Sequence, residues 1–110
     1  VHLQEKAPGW VQVVRDYLYS HSDQQTTLDN LSLISGLHPV TISKMFPKYF
    51  SCTVGEYKRN LKLVRALEVI KTREFSLAQT AYECGFFDQS HFIRAFKKMT
   101  GFLPTDYQKL

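Results

Sequence analysis

The segment Gln89-Ser90-His91-Phe92-Ile93-Arg94 sets a carboxamide and a guanidinium around an aromatic residue. Each group can make two hydrogen bonds at once to a flat edge. A guanidinium matches O6 and N7 of guanine, and a carboxamide matches N6 and N7 of adenine. Ser90 adds an adaptable hydroxyl, and Ile93 an apolar surface of the kind that meets a thymine methyl. Earlier in the chain, Val40, Ser43 and Lys44 make a thinner version of the same set, poorer in forked groups. Lys48, Lys97 and Lys98 follow the two groups, where point charges suit phosphates rather than base edges. This is recognition chemistry rather than bond making. No nucleophile stands at a known spacing from a base, no glycine loop could cradle a phosphate chain, and no carboxylate pair is placed for acid–base work. An enzyme is not expected, nor a cofactor.

The bulk properties allow the same chemistry without demanding it. The chain has 110 residues and a formal charge of +4, enough for one compact domain or two small subdomains sharing a helix. Residues 1–30 hold two basic against four acidic side chains, and the remainder twelve against six. A one-sided cationic excess attracts polyanions, although a solvated basic face has the same composition. Cys52 and Cys84 stand alone, without the paired spacing of a zinc or dithiol site, and read as two reduced thiols in or near the core. His2, His21, His38 and His91 have no ligand-spaced partner, so no metal site is expected. No apolar run approaches the roughly 18 residues of a membrane span, and the opening residues lack the pattern of a secretion signal. A cytoplasmic protein without membrane contact is the expectation.

Positioning those side chains falls to helices. Trp10, Val13, Val14, Tyr17 and Leu18 recur at amphipathic-helix spacing, ending near Ser20-His21-Ser22-Asp23. Thr27 can cap a second helix with Leu28, Leu31, Leu33 and Ile34, stopped by Gly36. A third, with Pro39 in its first turn, turns Ile42, Met45 and Phe46 inward. Thr53 and Glu56 form a capping box for the longest helix, which carries Tyr57, Leu61, Val64, Leu67 and Ile70 to about Thr72. Ser76 and Gln79 repeat the box before Leu77, Ala78, Ala81 and Tyr82, and Gly85 ends that helix. Asp88 can cap a sixth, with Phe92, Ala95, Phe96 and Met99 inward, and Pro104 opens a short seventh around Tyr107. No strand-like alternation survives, so the fold class is all-α.

The pattern occurs twice. At an offset of 49, Leu28 matches Leu77 and Gly36 matches Gly85; after one extra residue in the second copy, Ile42, Lys44, Phe46, Lys48, Glu56 and Tyr57 match Phe92, Arg94, Phe96, Lys98, Asp106 and Tyr107. Each copy is helix, glycine turn, helix, the arrangement of a helix-turn-helix. The expected organisation is a tail over 1–8, a first helix-turn-helix subdomain over 9–52, a linker helix over 53–72 and a second subdomain over 73–110.

The residues from Cys84 to Gln108, CGFFDQSHFIRAFKKMTGFLPTDYQ, resemble the signature segment of the AraC/XylS family of transcription regulators. Gly36 to Tyr57, GLHPVTISKMFPKYFSCTVGEY, resembles the first helix-turn-helix of the same family, and the likeness extends over about residues 9–110. It implies seven helices in two homeodomain-like units, the third and sixth helices, about 39–49 and 88–99, entering successive major grooves of double-stranded DNA. With Phe92, Ala95 and Phe96 inward, Gln89, Ser90, Ile93 and Arg94 become the base-reading face of the second unit. In the first, Val40, Ser43 and Lys44 do so, beside outward Pro39 and Pro47. Phosphate contacts fall to Lys48, Lys97 and Lys98 and to the helix starts at Thr27 and Ser76, whose amides and dipole favour an anion. The linker helix would hold the heads one DNA turn, about 34 Å, apart. The resemblance further implies bacterial transcription regulation, typically activation through RNA polymerase, and an effector-binding or dimerisation domain attached to this one.

Four positions depart from the family pattern. Pro47 stands where a basic residue continues the third helix, and by lacking an amide hydrogen and crowding the Ser43 carbonyl it is expected to kink or shorten that helix. Ser51 replaces a usual glycine, Val54 a usual proline, and Ile93 a small polar residue. The first unit is therefore expected to add more affinity than discrimination. His91 is read as a packing residue. Lys58, Arg59, Lys62, Arg65 and Lys71 on the long helix are read as its charged free face, with Arg65 also able to pair with an acidic residue inside. Two rival readings are a protein-interaction module using Tyr17, Tyr19 and Tyr49, and an RNA binder stacking on aromatics. The inward placement of most aromatics opposes the second.

Overall fold

A computed structural model describes residues 7–110. Among these residues the secondary structure is helical: α1 Gly9–Ser20, α2 Leu28–Ser35, α3 Pro39–Phe50, α4 Val54–Thr72, α5 Leu77–Glu83, α6 Gln89–Thr100 and α7 Pro104–Gln108. The expected tail over 1–8 falls largely outside the described residues. The chain divides into two compact units, Val1–Lys58 and Arg59–Leu110, with the division inside α4. No helix of the described residues is long and apolar enough to cross a membrane.

Local chemistry sets the helix ends. Thr27 Oγ1 accepts from the amide of Asn30 at 3.2 Å and Asn30 Oδ1 accepts from that of Thr27 at 2.9 Å, a reciprocal cap that opens α2. Thr53 with Glu56 and Ser76 with Gln79 repeat this exchange at α4 and α5. Each exchange satisfies two amides, one of them among the first-turn amides that a helix leaves without partners. Gly36 ends α2 and Gly101 ends α6 in the left-handed region, at φ 76° and 84°. Ser51 takes the same conformation after α3, at φ 62°, and its amide donates to Pro47 O at 2.9 Å.

In the first unit α1 packs on α2 and α2 on α3. Val11, Val14, Leu18, Leu31, Ile42 and Phe46 are buried. Phe46 and Phe50 stack at 3.8 Å, and Tyr57 meets the Phe46 edge at 5.7 Å. The second unit centres on Leu63, Ala66, Ala81, Cys84, Phe86, Phe92 and Phe96. There Tyr107 meets Phe96 at 5.4 Å, the counterpart of Tyr57 on Phe46. Gln108 Nε2 donates to Ile70 O at 2.9 Å, and Arg73 donates to Gln108 O at 3.0 Å, tying α7 to the end of α4.

The buried stripes differ from the expected ones by a residue or two. Helix α1 buries Val11 and exposes Val13. Helix α4 buries Leu63, Ala66 and Ile70 and exposes Val64. Leu33 and Tyr82, expected inside, are 83% and 81% exposed. They are the same position of the two copies, on helices of only eight and seven residues that bury little besides Leu31 and Thr80–Ala81. Ala78 and Met99 are also exposed, while Met45 is half-buried.

Pro47 does not end its helix. Helix α3 runs on to Phe50, with Pro47 three residues from its end. The carbonyl deprived of an amide partner is that of Ser43, an exposed residue, where water can satisfy it.

Candidate nucleic-acid interface

Asp88 caps α6, its Oδ1 accepting from the His91 amide at 2.7 Å. Phe92 and Phe96 anchor the helix in the second core, fully buried one turn apart. What remains outward is set by the helical period. Gln89, Ser90, Arg94, Lys97 and Lys98 are all exposed. Ile93 is drawn back: it is half-buried and packs against the core cluster. The two lysines stand exposed in the last turn, where the helix dipole favours cations.

Helix α3 repeats the arrangement. Pro39 occupies the first position, and His38 Nδ1 caps it by accepting from the Val40 amide at 3.2 Å. Ile42 and Phe46 anchor it, leaving Val40, Ser43, Lys44, Pro47 and Lys48 exposed. Thr41 is exposed on the same helix and adds a hydroxyl that the sequence reading missed. Ser43 also lines a cleft of about 480 Å³ with Thr27 and Leu28 at the start of α2, Thr53, Val54 and Gly55 at the start of α4, and Lys58. The structure thus brings together Ser43, expected to meet bases, and Thr27, expected to meet phosphate. Asp29 in the first turn of α2 opposes an anion at that helix start, whereas the first turn of α5, after Ser76, has no acidic residue.

Other expected residues have structural work. His91 packs edge-on against Phe86 at 5.6 Å, and its Nδ1 is buried without a hydrogen-bond partner among the described residues. Lys58 donates to Thr26 O. Lys62 lies over the Phe86 ring at 6.0 Å and Lys71 over Tyr107 at 4.9 Å. Arg65 is exposed rather than paired inside, and its charge acts on the Cys84 thiol. Burial pushes the Cys84 thiol up, with Arg65 lowering and Glu83 raising it; burial and then Glu56 push Cys52 up. Both cysteines are free, Cys84 buried and Cys52 half-buried. No group of three or more His, Cys, Asp or Glu able to hold a metal occurs among the described residues. Of the tyrosines in the interaction-module reading only Tyr19 is exposed; Tyr17 stacks on His21 at 4.0 Å and Tyr49 meets Trp10 at 5.7 Å.

A family model described as a helix-turn-helix domain matches residues 31–110. The chain belongs to the AraC/XylS family of helix-turn-helix regulators. Among relatives of this AraC/XylS domain, the transcriptional regulator GbdR of Pseudomonas aeruginosa is 27% identical over 84 residues, 76% of the chain and 23% of GbdR. The chain therefore spans about a quarter of that relative. The regulatory protein SoxS of Salmonella typhimurium is 28% identical over 98 residues, 89% of the chain and 92% of SoxS. The DNA-binding domain of AdpA, solved in complex with a target DNA, shares the fold at a TM-score of 0.78 and 17% identity, covering 94% of this chain and 92% of that one. The AraC/XylS-type chain is a DNA-binding domain of the transcription-regulator class with two helix-turn-helix units.

Proposed function

We propose that this domain binds double-stranded DNA sequence-specifically, with α3 and α6 each presenting its outer face to one of two successive major-groove segments. The observation that carries the reading is that two copies of one unit expose the same face. In each copy a capped helix and a left-handed residue precede a second helix held by two buried side chains, Ile42 and Phe46 or Phe92 and Phe96. In each copy Lys44 or Arg94 stands two residues after the first anchor, exposed.

On this reading Gln89, Ser90 and Arg94 contact base edges in the second segment, with Ile93 restricted to its free surface. Val40, Ser43 and Lys44 contact bases in the first. Lys48, Lys97 and Lys98, with the helix starts at Thr27 and Ser76, contact phosphates. Because the forked groups facing out of the second helices, Gln89 and Arg94, both stand on α6, the second unit supplies more discrimination. The 9–52, 53–72 and 73–110 organisation follows as two heads joined by α4. The protein works in the bacterial cytoplasm as a regulator rather than an enzyme. Its further partners are RNA polymerase and an effector-binding or dimerisation domain, for which the match to only 23% of GbdR leaves room.

Titration of a labelled duplex at several salt concentrations tests the assignment. Arg94→Ala should relax preference at one base pair by about 1–3 kcal/mol. Lys98→Ala should weaken all sequences alike and lower the salt slope by about one unit. A uniform loss for Arg94→Ala with an unchanged preference would refute its base-reading role.

A further inference from the structure

The two copies differ by one residue in the turn between their helices. Three residues, Phe86, Phe87 and Asp88, separate Gly85 from the start of α6, whereas two, Leu37 and His38, separate Gly36 from the start of α3. His38 and Asp88 are both N-caps, and Leu37 and Phe86 are both turned inward, half-buried and buried. The extra residue is therefore Phe87. It is 92% exposed.

A phenylalanine directly before an N-cap normally packs on the fourth residue of the helix, closing a hydrophobic staple. Here that residue is Phe92, and Phe86 already covers it, with ring centroids 5.2 Å apart. Phe87 is displaced outward beside the N-terminal turn that carries Gln89 and Ser90. Its ring takes no part in the core cluster of the second unit. The reading face has meanwhile lost apolar reach, since Ile93 packs against the core.

We propose that Phe87 is a specificity-determining residue of the second head, making the apolar contact to a thymine methyl at the edge of the major groove where α6 begins. The inference rests on the reading of α6 as a major-groove helix. An inserted, solvent-exposed ring at the mouth of that helix supplies what Gln89, Ser90 and Arg94 lack, a non-polar surface that distinguishes thymine from cytosine and, through the methyl alone, from uracil.

The test is a double-mutant cycle on the domain's selected duplex, combining Phe87→Ala with thymine-to-uracil replacement one position at a time. Phe87→Ala should bind about tenfold more weakly, with an unchanged salt slope and unfolding midpoint. Uracil at one thymine of the second block should reproduce most of that loss for the parent protein and cost the variant little. Unchanged affinity of Phe87→Ala, or full additivity with uracil at every position, overturns the proposal. Capture of RNA polymerase that depends on Phe87, with DNA affinity intact, overturns it equally and makes the ring a protein contact. If the parent domain selects no sequence, the major-groove reading itself has failed, a result distinct from a Phe87 variant that binds the selected site normally.

Discussion

Ser51 holds the left-handed conformation at φ 62° that Gly101 supplies at the equivalent place in the second copy. A residue with a Cβ pays roughly 1–2 kcal/mol for that conformation. Replacing it by glycine also gives the unfolded chain more freedom, which offsets about 0.4–1 kcal/mol. Ser51→Gly should therefore stabilise the first unit by about 0.5–1 kcal/mol, raising its midpoint by about 3–6 °C. Trp10, the single tryptophan, lies in that unit against Tyr49, so its fluorescence during thermal or urea unfolding reports the change. The reciprocal variant isolates the backbone contribution. A Cβ on Gly101 would meet nothing within 4 Å, so Gly101→Ser loses stability through conformation alone, by a similar amount in the opposite sense. An unchanged or lowered midpoint for Ser51→Gly would show that the left-handed serine carries no strain.

Four further outcomes rest on the same structure. Ser76→Ala removes the acceptor of the Gln79 amide and should cost about 1 kcal/mol of second-unit stability, read by circular dichroism during urea unfolding. Because burial raises the Cys84 thiol above its unfolded value, its contribution to stability is full below the ordinary thiol range and is lost as pH rises through the folded value. Unfolding midpoints should thus fall more steeply above about pH 8.5 than in Cys84→Ala, and Cys52 should be alkylated before Cys84 in the folded protein; equal rates would contradict the burial. Finally, a base-by-base substitution scan should show weaker preferences in the block read by α3 than in that read by α6, and the reverse order would refute the division of labour between the heads.

Much of the fold is legible in the residues that end helices. Thr27, Thr53, Ser76 and Asp88 cap where their spacing to Asn30, Glu56, Gln79 and His91 places them, because a cap is a local exchange between neighbours. The duplication is legible too, since Ile42 with Phe46 and Phe92 with Phe96 are the fully buried anchors it aligns. Which stripe of a helix is buried is less so. Helix α4 carries Leu61, Leu63, Val64, Ala66, Leu67, Val69 and Ile70, apolar around much of its circumference, and periodicity alone does not choose among overlapping stripes. The choice of Leu63 and Ala66 is made by the second-unit cluster in which they pack. Pro47 does not shorten α3, because it stands three residues from the end and the carbonyl it deprives belongs to the exposed Ser43. At the interface, polar residues at outward positions were readable, while the retreat of Ile93 and the exposure of Phe87 depended on how Phe86 fills the core. The one-residue mismatch between the copies was the signal that could have revealed Phe87.

Selection of binding sites from a random double-stranded DNA pool tests the central claim most directly. The expected result is enrichment of a site with two blocks about one helical turn apart, a steep salt dependence, and relaxed preference in one block alone for Arg94→Ala. Recovery of no sequence, with weak and uniform binding to every pool member, would contradict it.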